Sequence, residues 1–142
     1  MMKHLTVIAM IAMFPASMLC ANQTTPKVTI PLTTTTPTSG KQMYTSYCTP
    51  CHGQDGKGQG PVASELKHQP SNLTTLARNN NGRFPAIHVM AVLRSGTIIP
   101  AHGSTAMPVW GPILGKMDVA NPQDRELRIS NLSQYLRTMQ EK

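Results

Sequence analysis

Aromatic side chains are scarce in this sequence: one tryptophan, three tyrosines and two phenylalanines in 142 residues. Acidic residues are scarce as well, six against thirteen Lys and Arg, which leaves a formal charge of +7. Such a balance favours acidic partner surfaces, anionic membranes or nucleic acid. The shortage of base-stacking rings, and the lack of a Lys/Arg run long enough for a nucleic-acid arm, argue against the last. No segment alternates apolar and polar residues as a half-buried strand does, and there is no internal repeat. With only three cysteines, the chain is not a disulfide-rich scaffold.

Long hydrophobic runs are also missing. The longest, Leu5 to Leu19, follows Lys3 and His4 and is broken by Pro15 and Ser17. As a helix it would reach about 22 Å, short of the ~30 Å hydrocarbon core. Residues 1–21 therefore read as an export signal, cleaved after Ala21. Two alternatives would leave the N-terminus associated with a membrane. The signal could stay uncleaved, or Cys20 could carry a lipid, for which the bulky Leu19 is a poor neighbour. Residues 22–39, "NQTTPKVTIPLTTTTPTS", contain eight threonines and three prolines. With little to bury and φ fixed at each proline, they are expected to form a disordered tether.

The folded domain is assigned to residues 40–142. Gly40 to His52 reads as a short helix with Met43, Tyr44 and Tyr47 on its apolar side. Gly53 to Gly60 is loop, and Pro61 to Leu66 has room for one turn. Pro85 opens a helix that Gly96 closes, with Ile87, Met90, Ala91 and Leu93 as its apolar side. In the last helix, capped by Asn121 and Pro122, Ile129, Leu132, Leu136 and Met139 recur at helical spacing. The expected fold class is all-α, a small domain with long loops. Its own side chains make a thin core, so a cofactor is expected to fill the rest.

"CTPCH" supplies the candidate. Cys48 and Cys51 stand one helical turn apart, so their sulfurs project from one side, and His52 follows at once. This C-x-x-C-H pattern is the signature of covalent haem attachment. Each thiol adds to a vinyl group on one porphyrin edge, and the adjacent imidazole meets the iron. A structural zinc site would need a second ligand pair, whereas the remaining cysteine lies in the signal. A thioredoxin-like pair belongs to an α/β pattern not found here. A plain disulfide suits an exported chain but gives no role to His52.

The iron's other side needs a ligand or an opening. Met107, in "STAMPVWGP", precedes a proline in a Gly/Pro-rich loop and follows His52 by 55 residues, far enough to wrap a haem edge. A thioether is a soft neutral ligand, and Met/His ligation raises the reduction potential. His102 is the competitor, with His88 and His68 read as surface or loop residues.

With these residues in place, positions 40–142 resemble a class I cytochrome c, the monohaem electron carriers of the bacterial periplasm. Gly40, Tyr44, Cys48, Cys51 and His52 match that family's opening pattern, "MPVWG" resembles its methionine loop, and "ISNLSQYLRTM" its last helix. The resemblance implies one covalently bound haem c, with His52 and Met107 on the iron and Trp110 near a propionate. It implies that the Pro61 carbonyl accepts a hydrogen bond from His52, and that Gly40 and Tyr44 meet Tyr135 and Leu136 where two helices cross. Gly53, Gly56, Gly58 and Gly60 are expected to let the backbone turn tightly beside the porphyrin. The expected function is single-electron transfer between periplasmic or membrane redox partners that present acidic docking patches, with no substrate chemistry in this chain. The alternatives are a haem subunit of a dehydrogenase, a peroxidase, or a gas-binding haem protein.

Overall fold

The computed structural model describes residues 32–95, 107–117 and 123–142. The signal assigned to 1–21, most of the tether, His102 and the Asn121–Pro122 cap lie outside the described residues. Among those that are described there is no strand. The elements are α1 (Gly40–Met43), a π-helical turn (Tyr44–Cys48), α2 (Thr49–His52), α3 (Ala86–Ser95), α4 (Trp110–Lys116) and α5 (Asp124–Thr138). Three short 3₁₀ turns, Ala63–Glu65, Leu73–Thr75 and Arg78–Asn80, punctuate the long connection before α3. α5 packs against α1, α3 and α4, and the all-α expectation is met.

The first helix starts where the expected tether should end. The Ser39 hydroxyl accepts from Gln42 N at 3.2 Å, an N-cap at the end of the Thr/Pro-rich run. The pair is spaced as in a capping box, although the Gln42 side chain reaches back to Thr36 rather than to the cap itself. Farther along, Pro50 has no N–H to give to the preceding turn, and its ring would crowd the carbonyl four residues back. The helix widens there instead: Thr49 N donates to Tyr44 O, five residues away, giving the π turn directly before the C-x-x-C pair.

α1 crosses α5 at Gly40. A Cβ on Gly40 would stand 2.1 Å from Asn131 O and 2.8 Å from Tyr135 Cβ, so only glycine allows this approach. One turn on, the rings of Tyr44 and Tyr135 lie 5.4 Å apart, tilted by 49°. The Tyr44 hydroxyl donates to Gly53 O at 2.6 Å, which joins the helix crossing to the loop after His52. Ile129, Leu132 and Leu136 are buried on the α5 side, as their spacing predicts.

Three expectations need correction. Residues 33–39 are not tether but part of the domain: Thr35 is buried, and Asn131 Nδ2 donates to Pro37 O at 3.1 Å. Low apolar content was a poor guide because hydrogen bonds, not apolar burial, hold this segment. In α3 Leu93 is buried and Met90 packs against the core as expected, but Ile87 is 83% exposed and Ala91 is exposed, and the buried Val89 takes their place on the inward side. Finally, Trp110–Lys116 is helix rather than loop. Pro112 is tolerated there because first-turn residues need no intrahelical donor.

Candidate functional site

Cys48, Cys51 and His52, at the end of the first helix, line a cleft with about 1140 Å³ of space, its open mouth included. Met107 and Pro108 line it as well. Its walls are largely apolar: Leu73 and Leu76 from the long connection, Val89 and Leu93 from α3, Leu136 from α5. Several of these, with Tyr47 and Trp110, are also members of the hydrophobic core. The cleft therefore runs into the core, where the thin protein interior called for a filler.

The post-helix loop positions the histidine. Gly53, Gly56 and Gly58 have positive φ, as their expected tight turns require, and Gly58 N donates to His52 O at 2.8 Å. Gly58 is pressed against the segment that follows: a Cβ there would lie 2.1 Å from Pro70 O. That segment carries the partner of the imidazole. His52 Nδ1 lies 3.0 Å from Ser71 O, so the expected Pro61 carbonyl is replaced by that of Ser71. The reason is local: Gly58 and the Pro70–Ser71 backbone are in near contact, whereas Pro61 leads into a separate turn. With Nδ1–H donated to a carbonyl, Nε2 holds the lone pair.

The electrostatics favour neutral groups. Burial pulls the His52 pKa down, partly offset by the bond to Ser71. Burial pushes the Cys48 thiol up to about 12, with Cys51 adding to the rise, and burial raises Cys51 as well. An activated redox thiol needs the opposite shift. Both cysteines are free, with no disulfide between them, and among the described residues no group of three His, Cys, Asp or Glu could hold a metal by itself. Two buried or half-buried thiols with raised pKa values, a histidine with its outer nitrogen tied back, and an apolar cleft reaching a thioether fit a covalently held haem better than a zinc site or an activated redox pair.

Two histidines read as surface residues, His68 and His88, also reach the cleft wall, although both are exposed. The long stretch from His68 to Phe84 supplies one wall of the cleft. Sequence did not show how it is fastened: Gln140 Nε2 donates to Leu73 O at 2.8 Å, Ala77 N donates to Gln140 Oε1 at 2.8 Å, and Glu141 N donates to Thr74 O at 2.9 Å. The chain end thus clasps the wall that holds Leu73 and Leu76. Trp110, expected near a propionate, is buried at the cleft and stacks on Tyr47 with centroids 5.6 Å apart.

A helical domain whose C-x-x-C-H pair opens onto an apolar, core-penetrating cleft is the architecture of a haem-binding domain. The family model described as Cytochrome C oxidase, cbb3-type, subunit III matches residues 35–98, a span that includes both cysteines, His52, Ser71 and α3. The match supports a c-type cytochrome domain over residues 35–98. Such a domain is that of electron-transfer haem proteins, and haem c is the cofactor the family implies. Comparison with curated proteins and with solved structures gives no match.

Proposed function

We propose that this chain is an exported monohaem cytochrome that carries single electrons, with Cys48 and Cys51 holding the haem and His52 and Met107 as its axial ligands. The single observation behind this reading is the convergence of those four side chains on one cleft. Haem supplies reversible one-electron chemistry when bound. The protein's part is to bind, orient and shield. Ser71 fixes the His52 ring and increases its basicity. The apolar walls exclude water and lower the local dielectric, and a thioether ligand favours the ferrous state. His52 would keep its Nδ1–H bonded to Ser71 and offer Nε2 to the iron, so it would move no proton. We assign no substrate chemistry to the chain.

The basic surface suits a redox partner with an acidic docking patch, steered to it at a rate that falls with salt. Export to the periplasm is part of this reading; among the described residues no helix is long and apolar enough to cross a membrane. A redox titration followed by visible spectra tests the proposal. One reversible one-electron transition is expected, with slow or absent carbon monoxide binding to the reduced form. Rapid carbon monoxide binding to the wild type would move the assignment to a gas-binding or peroxidase protein.

The matched family model bears the name of an oxidase subunit, which favours a second reading, a haem subunit of a larger oxidoreductase. Native separation of detergent-solubilised membranes, stained for haem, separates the two. A free carrier runs at the size of this chain, and a subunit runs with its complex.

A further inference from the structure

Among the described residues, the largest fully buried side chain is charged. Arg128, on α5, is 1% exposed. Its Nη1 donates to Thr35 O at 2.8 Å and to Thr35 Oγ1 at 3.0 Å, while Nε has no hydrogen-bond partner. A buried guanidinium is costly unless its donors are met, so the Thr35 acceptors contribute much of what replaces water here. Thr35 Oγ1 lies 2.9 Å from the Tyr47 hydroxyl, which itself donates to Thr33 O and approaches Met117 Sδ at 3.2 Å. Proton counting orders the chain: Arg128 donates to Thr35, Thr35 to Tyr47, and Tyr47 to Thr33. The other face of the Tyr47 ring stacks on Trp110, and both rings line the cleft.

We propose that residues 33–39 act as a strap that holds the Tyr47–Trp110 wall of the haem cleft closed, and that Thr35 and Arg128 are the positioning residues that fasten it. The inference rests on the cytochrome reading and concerns only this chain's own residues. Among the described residues, the polar atoms that hold the Tyr47 hydroxyl come from the strap and from Met117. Releasing the strap leaves the Tyr47 hydroxyl without Thr33 and Thr35, lets the ring tilt, and removes the stacking partner of Trp110. Water then reaches the cleft. A wetter cleft stabilises the more highly charged ferric state, so the reduction potential falls, and small ligands enter more readily.

The test uses the full-length holoprotein. Thr35→Val removes the hydroxyl in the relay with little change of shape, Thr35→Ser restores it, and Arg128→Met removes the charged anchor. Reduction potential, the rate of cyanide binding to ferric protein and thermal unfolding are measured for each. The proposal expects Thr35→Val and Arg128→Met to lower the potential and speed cyanide binding several-fold, with Thr35→Ser close to wild type in both. If Arg128→Met does not fold, the Thr35 pair decides alone. A lower unfolding midpoint with unchanged potential and cyanide rate would show an ordinary structural contact and overturn the proposal. Absence of haem from wild type, read first by staining, would overturn the cytochrome reading and this inference with it.

Discussion

His52 Nδ1 lies 3.0 Å from the carbonyl oxygen of Ser71, nineteen residues downstream. The contact ties the proposed haem ligand to a loop wall of the cleft, where Gly58 lets the two backbones meet. Gly58→Ala must therefore either strain a φ of +83° or push Pro70 and Ser71 away. We expect a loss of roughly 1–3 kcal/mol in stability. The reduction potential should rise, because an imidazole without its outer hydrogen bond is a weaker donor to ferric iron. Chemical denaturation and a redox titration of the same sample check both. An unchanged potential would mean that the Ser71 carbonyl does not tune the ligand.

Acid should release the same histidine. Burial holds the His52 pKa below its ordinary value of 6.5, so between the lowered pKa and 6.5 the unfolded chain binds the proton and the folded chain does not. The contribution of His52 to stability is thus fully present above pH 6.5 and is lost as pH falls through the folded pKa. Binding to iron extends the loss to lower pH. Unfolding followed from pH 7.5 to 4 should show the decline, together with a shift of the haem spectrum when His52 lets go. A stability that stays flat or rises on acidification would contradict it.

The helix crossing gives a prediction that does not depend on haem chemistry. Gly40→Val places side-chain atoms where Asn131 O already stands and should cost about 3 kcal/mol or more by forcing α1 off α5. Tyr44→Phe removes only the buried bond to Gly53 O and should cost about 1 kcal/mol, somewhat more if the carbonyl is left unpaired. Denaturant titration of both variants should preserve this order. Equal losses would mean that the close approach at Gly40 is not what locks the crossing.

Met107, the proposed sixth ligand, shares the cleft wall with His68 and His88. Met107→Ala should abolish the weak long-wavelength band of a methionine-bound ferric haem, lower the potential and admit carbon monoxide. His68→Ala, His88→Ala and His102→Ala should leave that band in place. A histidine variant that removes it while Met107→Ala does not would reassign the sixth ligand and leave haem attachment untouched.

What could be read from sequence followed from local chemistry. C-x-x-C-H is a pattern whose spacing is itself the mechanism, and the α5 stripe of Ile129, Leu132 and Leu136 is a long, regular period. Gly40 stood out only through the resemblance to a family, since a glycine at a helix start has several local explanations. The misreadings share one cause, contacts made far along the chain. Thr35 looks like tether until Arg128, 93 residues away, meets it. Ser71 cannot be distinguished from Pro61 as the carbonyl acceptor for His52 by composition, because any residue offers that group. The Ser39–Gln42 spacing was the one local sign that ordered structure starts before Gly40, and it lay at the end of a run that composition marked as disordered.

The central claim is that Cys48 and Cys51 hold a haem covalently in the cleft they line with His52. Denaturing electrophoresis with haem staining, backed by the intact mass of the denatured chain, tests it most directly on protein matured in a periplasm. We expect a coloured band and a mass increased by one haem for wild type, weakened attachment in Cys48→Ala and in Cys51→Ala, and none in the double variant. A colourless wild-type band at the mass of the bare chain, or haem that persists in the double variant, would contradict the account.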